Sequence, residues 1–289
     1  MNNRPALLVV NENSRNGANI GPFIAALERG GLQLRREKCG ERGDLAKLIL
    51  GLREEVGSVI LGGGDGTMNA AGPALIETGL PLGVLPLGTA NDLARTLGIP
   101  ADPERAAAVI LAGRTRLIDL GTVNEMPFFN VASLGLSVAV THRLSRILKR
   151  KLGSLAYPIA AAAAVMRSGR FRAVLRADGE EVSVNTLQIA VGNGRYYGGG
   201  MVVEAMAAID DGTLDVYSLE PPSRWRLLLM ARAFRSGQHD RVEGVRNFRC
   251  RTAMVTTRRP RDVSADGEIV TRTPAHFAVL PQSVRVFVP

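Results

Sequence analysis

The sequence predicts an α/β fold joined to a β-rich one: an N-terminal three-layer domain with a parallel sheet, then a C-terminal domain resembling a β-sandwich. Two observations predict this division. Up to about residue 114, short apolar runs alternate with segments of helical periodicity, which is the pattern of β-α units. Beyond that point, alternating apolar and polar residues are separated by Asp-Gly and Gly-rich turns, which is typical of antiparallel strands. We therefore assign residues 1–122 to the first domain and residues 123–289 to the second.

The first domain contains three strand candidates, which are the short apolar runs at residues 7–10, 58–61 and 82–85. Two apolar stripes have the three- and four-residue spacing of amphipathic helices. Their members are Ile20, Phe23, Ile24 and Leu27, then Leu45, Leu48, Ile49, Leu52 and Val56. We expect both helices to pack on the sheet.

The second domain contains strand candidates at residues 171–184, 186–194 and 213–219. The first of these runs has an Asp-Gly pair at its centre, which predicts a hairpin. Helical segments around residues 157–167 and 224–236 interrupt the strands. No low-complexity linker separates the two domains.

Composition and charge narrow the class of protein. With 46% hydrophobic and 22% charged residues in 289, the chain has the composition of a globular protein. Its 36 Lys and Arg residues exceed its 27 Asp and Glu residues, and a surplus of this sign favours anionic partners. Because the basic residues are scattered and aromatic residues make up only 4%, nucleic acid is not the expected partner.

Cysteine usage and hydropathy indicate the compartment. Cys39 and Cys250 lie far apart without a CxxC or Cys/His pattern, so neither a disulfide framework nor a structural zinc site is expected. The longest apolar run, residues 155–166, is shorter than the roughly 20 residues that span a bilayer as a helix. We therefore predict a cytoplasmic protein, with peripheral attachment to the inner face of the membrane as a hypothesis.

Two glycine-containing loops follow the second and third strand candidates. Residues 62–67 read Gly-Gly-Gly-Asp-Gly-Thr and residues 86–92 read Pro-Leu-Gly-Thr-Ala-Asn-Asp, and each loop leads into a helical segment. Glycines let backbone N–H groups approach a phosphate, and a helix N-terminus adds partial positive charge. The loops therefore permit polyphosphate binding, although an ordinary glycine-rich turn has the same composition.

Standard nucleotide and hydrolase signatures are missing from the sequence. A Rossmann fingerprint requires glycine where Thr67 stands, and no Lys follows a Gly as in a Walker A loop. The protein-kinase triplets HRD and DFG do not occur, and the string around Ser133, VASLG, lacks the first glycine of a nucleophile elbow. The histidines show no metal-ligand spacing.

The strings GGGDGTMN and PLGTANDLARTLGIP, in this order, resemble the diacylglycerol kinase catalytic-domain family, and most of all its bacterial branch of soluble lipid kinases. Sphingosine and ceramide kinases, and more distantly NAD kinases, are similar through the GGDGT string, whereas GTAND favours the lipid branch. The resemblance implies that the last strand, around residues 283–288, returns to the first domain. Further strings occur in family order, namely NENSRNG at residues 11–17, IDLG at 118–121, GNGRYYGGGM at 192–201, DDGTL at 210–214 and DGE at 266–268.

The resemblance implies ATP as the phosphoryl donor, bound with its phosphates at the two loops. The matching positions are Asn11, Gly63, Gly64, Asp65, Gly66, Thr67, Gly88, Thr89, Asn91 and Asp92. An aspartate in a phosphate-binding loop would repel its ligand unless a cation intervenes, so Asp65 indicates Mg²⁺.

By resemblance, a second Mg²⁺ is linked to further acidic positions. These are Asp119, Asp210 and Asp211, together with the backbone carbonyl of Leu214. From the residues alone, the same aspartates are also compatible with turn and helix-cap chemistry.

The resemblance places the catalytic base at Asp266, supported by Glu268 from the same turn. The base would accept the proton of a lipid hydroxyl as that oxygen attacks the γ-phosphorus. The tripeptide Asp-Gly-Glu also occurs at residues 178–180, and Asp-Gly is a strong hairpin signal. Spacing does not separate the two copies; only the position in the family order selects Asp266 and leaves Asp178 as a turn.

One loop departs from the family pattern. Many relatives have NPxSG followed by a basic residue, whereas this chain has Glu12 in place of the proline and Asn16 where some relatives have Lys. Arg15 is the candidate for the basic role, and its alternative is a solvated surface charge.

The expected function is ATP-dependent transfer of a phosphoryl group to a lipid hydroxyl at a membrane surface, which gives a lipid phosphate. Basic amphipathic segments at residues 143–152 and 224–235 are the candidates for membrane contact, unless their apolar faces pack into the second domain. The alternatives are a kinase of a soluble acceptor, like NAD kinases, and a non-catalytic nucleotide- or lipid-binding regulator. The sequence leaves open which lipid is used and whether the protein forms a homodimer.

Overall fold

The structure is a computed structural model, and it describes residues 4–12, 14, 16–38, 42–143, 169–194, 196–197, 201–202, 208–220 and 244–289. The helices predicted around residues 157–167 and 224–236 lie outside the described residues. So do Arg15, Cys39 and all but the first residue of the basic segment 143–152. Of the helices within the described ranges, none is long and apolar enough to cross a bilayer.

The N-terminal part is built on parallel strands in the order β2-β1-β3-β4. The strands are β1 (Ala6–Val10), β2 (Leu34–Glu37), β3 (Ser58–Gly63) and β4 (Leu82–Pro86). The helices are α1 (Gly21–Arg29), α2 (Arg42–Leu52), α3 (Asp65–Thr78), α4 (Asp92–Thr96) and α5 (Pro103–Leu111), and a 3₁₀ turn (Gly17–Asn19) precedes α1. Helix α1 packs with α5, and α2 packs with α3. Because crossovers between parallel strands are right-handed, the strand order implies that the two pairs lie on opposite faces of the sheet. The three-layer α/β prediction is confirmed.

The helices cover both faces of the central strands. Strands β1, β3 and β4 are buried almost throughout, as their continuous apolar runs require. The predicted stripes face this core, because Phe23 and Leu27 of α1 and Leu45 and Ile49 of α2 are buried. Helix α2 ends before Val56, which is buried at the entrance to β3.

Antiparallel strands dominate the rest of the chain. Its elements are β5 (Thr115–Val123), β6 (Met126–Phe128), β7 (Val131–Gly135), α6 (Leu136–Arg143), β8 (Phe171–Ala177), β9 (Glu180–Thr186), β10 (Gln188–Gly192), β11 (Tyr196–Tyr197), β12 (Met201–Val202), β13 (Leu214–Leu219), β14 (Val245–Cys250), β15 (Thr252–Thr257), β16 (Asp262–Ala265), β17 (Glu268–Arg272) and β18 (Ala275–Phe287). Six strands form a sheet in the order β14-β13-β10-β7-β16-β17. Strands β18, β15, β8 and β9 extend the first sheet to ten strands, with β5 and β6 attached at β18.

The six-stranded sheet packs on part of the ten-stranded sheet around a second apolar core. Leu175 and Val255 contribute to this core from the ten-stranded sheet, and Val191 and Val216 contribute from the six-stranded sheet. Two sheets with a shared core form a β-sandwich, so the fold class predicted for the second domain is confirmed. The domain boundary between residues 122 and 123 stays a prediction.

The last strand joins the two parts of the structure. Strand β18 pairs antiparallel with β15 and with β5, and its Val286 pairs in parallel with Leu82 of β4. The strand begins at Ala275, well before residue 283, where the sequence analysis places the start of the last strand. The register shifts around Pro281 and Gln282, because proline has no N–H and Gln282 has φ +50°. Because the irregularity interrupts the alternation of apolar and polar residues, the sequence pattern does not show that residues 275–280 belong to the same strand.

Gly121 in β5 provides a test of the packing. A Cβ at this position would lie 2.1 Å from the buried ring of Phe128. We expect Gly121→Ala to lower the free energy of unfolding by about 1–3 kcal/mol, the usual cost of overpacking a core, as measured by urea unfolding. The control is Gly51→Ala on α2, where the space is open and stability should be unchanged or slightly higher. Equal stability of the two variants would contradict the packing.

Candidate functional site

The two glycine loops meet at the carboxyl ends of β3 and β4, because these strands are parallel neighbours. Gly64 and Gly88 are in contact, since a Cβ on Gly88 would lie 2.4 Å from the Cα of Gly64. No side chain fits at that distance. Glycine at both positions therefore lets the loops form one continuous backbone surface.

The first loop ends at the N-terminus of α3. Gly64 is the N-cap of this helix, and because it has no side chain it cannot cap the backbone N–H groups of the first turn, which contains Gly66. Such N–H groups, together with the helix dipole, favour an anion. Buried Thr67 lies in the same turn, and its Oγ1 accepts a hydrogen bond from Nδ2 of Asn11 at 3.2 Å. The predicted residues of the first loop are thus brought together, with Gly63 at the end of β3.

Asn91 shapes the second loop. Its backbone is left-handed with φ +52°, its Oδ1 accepts a hydrogen bond from the N–H of Gly88 at 2.8 Å, and its Nδ2 donates to the carbonyl of Gly88 at 3.1 Å. Both polar groups of this side chain are therefore used to hold the loop. Thr89 is exposed, whereas Asp92 is buried in the first turn of α4. Gly88 and Thr89 also line a cavity of about 510 Å³ that extends to Phe23 of α1.

Asp65, the first residue of α3, connects the loops with the second domain. Its Oδ1 accepts a hydrogen bond from the N–H of Leu93 in α4 at 3.0 Å. The same oxygen accepts one from Nδ2 of Asn130, which precedes β7, at 3.4 Å. The Asp65 carboxylate therefore lies where both glycine loops and the β-rich domain meet.

Asp266 lies on the other side of this junction, in the turn between β16 and β17, with φ +45°. Its Oδ2 accepts a hydrogen bond from the N–H of Phe129 at 2.8 Å. Its Oδ1 accepts hydrogen bonds from the N–H groups of Asn130 and Val131, both at 3.1 Å. These three donors fix the carboxylate against the segment whose Asn130 side chain reaches Asp65. Glu268 begins β17 and is half-buried.

The surroundings of Asp266 change its acidity. Burial raises the pKa of Asp266 to about 7; the three backbone donors act in the opposite direction, and the nearby charge of Asp65 raises the pKa again. A carboxyl group with this pKa exchanges its proton near neutral pH, as a general base does. The unfolded carboxyl has a pKa of 3.8, so the contribution of this group to folding stability is complete below that pH and is lost as the pH rises through about 7.

The second Asp-Gly-Glu copy has the same backbone but different surroundings. Asp178 has φ +44° in the turn between β8 and β9 and is exposed. Its carboxylate accepts hydrogen bonds from the N–H groups of Arg251 at 3.0 Å and Thr252 at 2.9 Å, and these bonds lower the pKa of Asp178. The structure thus separates two copies that spacing does not: Asp178 holds an exposed turn, and Asp266 lies at the junction of the loops.

Two buried asparagines belong to the junction and are missed by the sequence analysis. Asn130 and Asn193 are each 2% exposed, and the Oδ1 atom of each has no hydrogen-bond partner among the described residues. Nδ2 of Asn193 donates to the carbonyls of Phe129 and Asp119, both at 2.9 Å. A lone polar residue at the end of a buried apolar run, as in IAVGN at residues 189–193, is the signal that could have found Asn193.

A small polar niche adjoins Asn130. Gly194 has no side chain, and a Cβ there would lie 3.6 Å from Oδ1 of Asn130 and 3.4 Å from Oγ1 of Thr96. Oγ1 of Thr96 is also buried and has no partner within the described part of the chain. We call the space between these three residues the niche; its lining can accept a hydrogen bond from a hydroxyl group.

Asp119 is 1% exposed and is held by backbone donors. Its Oδ1 accepts a hydrogen bond from the N–H of Gln282, and its Oδ2 accepts one from the N–H of Gly212, both at 2.7 Å. The carboxylate thereby ties the turn at residues 210–213 to the irregular part of β18. Through the two carbonyls named above, Asn193 connects Asp119 to Phe129, whose N–H donates to Asp266.

The other predicted metal-linked residues lie in this turn or directly after it. Asp210 pairs with Arg116 at 3.2 Å, Asp211 pairs with Arg249, and Leu214 begins β13. Among the residues that the structure describes, no group of three or more His, Cys, Asp or Glu side chains could hold a metal ion. The assignment of a second Mg²⁺ to these residues stays a prediction.

Two family models match the chain. The model described as the diacylglycerol kinase catalytic domain matches residues 5–123, and the model described as the YegS C-terminal NAD kinase beta sandwich-like domain matches residues 130–288. The second match alone covers more than half of the chain. The chain belongs to the YegS branch of the diacylglycerol kinase family. The resemblance that the glycine loops indicate is therefore confirmed.

Relatives of this YegS-type chain match it over almost its whole length. A protein of Klebsiella pneumoniae strain 342, named "Probable lipid kinase YegS-like", is 31% identical over 98% of this chain and 96% of its own. "Lipid kinase YegS" of Escherichia coli K12 is 30% identical over the same shares. The crystal structure of a candidate diacylglycerol kinase from Bacillus anthracis has a TM-score of 0.84 at 25% identity, covering 99% of this chain and 95% of that one.

The titration of Asp266 in this YegS-type protein is a direct test of the site. We expect carboxyl-carbon NMR to give a pKa of about 7 for Asp266, and a pKa below 3.8 for Asp178 in the same sample. Asp65→Asn should lower the pKa of Asp266, because it removes a nearby negative charge, and should leave Asp178 unchanged. An ordinary carboxyl pKa for Asp266 in the folded protein would contradict its burial.

Proposed function

We propose that this protein is an ATP-dependent lipid kinase that transfers the γ-phosphoryl group to a lipid hydroxyl. One observation carries the proposal: Asp266, with a pKa of about 7, lies beside Asp65 at the junction of two glycine loops suited to phosphate. A base next to a phosphate-binding surface is the arrangement that phosphoryl transfer to a hydroxyl requires. The family and the names of the relatives support a kinase of the lipid type.

The nucleotide phosphates would lie on the surface formed by the loops. The N–H groups of the first turn of α3 would donate to phosphate oxygens. Because Gly64 and Gly88 have no side chains, nothing projects from their contact to block the phosphates. The cavity beside Gly88 and Thr89 offers room for another part of the nucleotide. Asn11 and Asn91 hold the loops in shape through the bonds described above.

Asp65 is the residue suited to magnesium. Mg²⁺ that is bound with a nucleotide takes ligands from phosphates and water and needs only one or two carboxylates, so the described residues fit such an ion without a preformed cluster. When bound, the ion would offset negative charge on the transferring phosphoryl group. The hydrogen bonds from Leu93 and Asn130 orient the Asp65 carboxylate toward this task.

The transfer needs a base that is free of its proton when the acceptor arrives. Asp266 takes the hydroxyl proton onto its carboxylate while the acceptor oxygen forms a bond to the γ-phosphorus. The bond from that phosphorus to the bridging oxygen breaks, and ADP leaves with the electron pair. Glu268, two residues further along the same hairpin, is proposed to support the base. The niche at Asn130, Thr96 and Gly194 would accept a hydrogen bond from a second hydroxyl group, in an acceptor that has one besides the hydroxyl that reacts.

The central experiment compares the two Asp-Gly-Glu copies as kinases. Purified protein is incubated with Mg²⁺ and radiolabelled ATP, with diacylglycerol in mixed micelles or with NAD. We expect label in the lipid, a loss of at least about 100-fold in rate for Asp266→Asn, and a rate close to wild type for Asp178→Asn. Both variants should be shown to fold by thermal unfolding.

Three outcomes would contradict the proposal. Label in NAD alone would make the protein a kinase of a soluble acceptor. ATP binding without transfer to any of a panel of lipids would make it a regulator. An equal loss of rate in the two aspartate variants would remove Asp266 as the base.

The contact between the loops gives a separate prediction. Gly88→Ala places a methyl group 2.4 Å from Gly64 and 2.7 Å from Oδ1 of Asn91, so the loops must move apart. We expect calorimetry to show ATP affinity reduced at least about tenfold, because backbone N–H groups no longer converge on the phosphates. Gly51→Ala is the control with unchanged affinity. Wild-type affinity in Gly88→Ala would argue against phosphate binding at this surface.

A further inference from the structure

Six arginines converge at one edge of the second domain, at the end of β16 opposite to Asp266. We call them the arginine edge: Arg170, Arg172, Arg258, Arg259, Arg261 and Arg272. They come from the start of β8, the connection between β15 and β16, and the end of β17. All except Arg261 are exposed, and the guanidinium carbon of Arg261 lies 4.1 Å from the centre of the Phe171 ring.

The strand pairing explains why these residues meet. Thr257 at the end of β15 pairs with Ala173 of β8, so the arginines that flank this pair are neighbours across the sheet. The N–H of Arg261 donates to Oγ1 of Thr273 at 2.9 Å, and this bond brings the connection next to the end of β17. The chain crosses here from one sheet to the other, which gathers residues distant in sequence.

Few acidic residues accompany the arginine edge in the described stretches of sequence that contain it. Asp262 pairs with Arg272 at 2.6 Å and is the one acidic residue in the described stretches 169–174, 256–263 and 271–273. Phe171 and Arg172 pair with Thr186 and Asn185 of β9, which are uncharged. Such a concentration of one sign attracts an anionic surface.

Exposed apolar side chains lie between this edge and Asp266. Among the described residues, three large apolar side chains are exposed, and two of them are Met126 at 48% and Ile269 at 43%. Ile269 lies in β17, and the turn before Met126 is tied to β17 by a hydrogen bond from Nδ2 of Asn124 to Oγ1 of Thr271 at 2.9 Å. Basic residues next to exposed aliphatic ones match the interface of a lipid bilayer, whereas single-stranded nucleic acid is usually bound with aromatic residues.

We propose that the arginine edge docks on the surface of a bilayer that contains anionic phospholipids, with Met126 and Ile269 reaching toward its apolar boundary. Strand β16 runs from the arginine edge to Asp266 over four residues, or about 13 Å at the usual rise per residue. Docking there would hold the base close to the head-group layer. The choice of a lipid surface rests on the proposed function, but the docking itself is measured without catalysis.

Vesicle co-sedimentation tests the proposal. The full chain is mixed with vesicles of phosphatidylcholine alone or of phosphatidylcholine with phosphatidylserine, at low and high salt. We expect binding to the anionic vesicles only, weakened by salt. The double variant Arg258→Glu with Arg259→Glu should bind at least about tenfold more weakly, and the same pair changed to Gln should fall in between.

The matched control is Arg105→Glu with Arg285→Glu, an equal change of charge at exposed positions of α5 and of β18. This control should bind the anionic vesicles like the wild type. The proposal is overturned if the wild type does not bind anionic vesicles, or if it binds neutral vesicles equally well. It is also overturned if the control loses as much binding as Arg258→Glu with Arg259→Glu, or if the protein binds RNA more tightly than the vesicles. Kinase activity in neutral mixed micelles is a separate measurement, so its absence would reject the proposed function and leave vesicle binding standing.

Discussion

The candidate site depends on the contact between the Asp266 carboxylate and three successive backbone N–H groups at residues 129–131. Withdrawing a carboxylate from water is costly unless it is hydrogen-bonded. Here the donors are Phe129 and Asn130, which connect β6 to β7, and Val131, the first residue of β7. The same segment sends the Asn130 side chain to Asp65. One short stretch of backbone therefore positions the carboxylate of Asp266, the proposed base, and orients the carboxylate of Asp65 in the first glycine loop.

This arrangement also explains why the acidity of Asp266 lies between two extremes. Three N–H donors alone would keep the carboxylate ionised, as two backbone donors do for Asp178 at the surface. Burial and the charge of Asp65 act against them and leave the pKa of Asp266 near neutrality. The tripeptide Asp-Gly-Glu forms a turn in both places, and the surrounding residues decide whether the pKa of its aspartate is raised or lowered.

Much of the fold could be predicted from the sequence, because the apolar runs of β1, β3 and β4 and the stripe of α1 report burial directly. The glycine loops could be predicted as well, since the contact of Gly64 with Gly88 needs residues without side chains. Asn130 and Asn193 could not, because their roles arise from hydrogen bonds between segments distant in sequence. The arginine edge was hidden for the same reason: its members are scattered along the chain and meet only through strand pairing.

Strand β18 has a mechanical consequence. This one strand pairs with β15 of the sandwich, with β5, and with β4 of the parallel sheet. The two domains are therefore connected both by the chain itself and by the hydrogen bonds of a shared strand. A large rotation of one domain relative to the other would break several of the backbone hydrogen bonds of β18 at once, which would be energetically costly. Entry and exit of reactants at the junction of the glycine loops and the β-rich domain are therefore expected to depend on local movements of the residues around it.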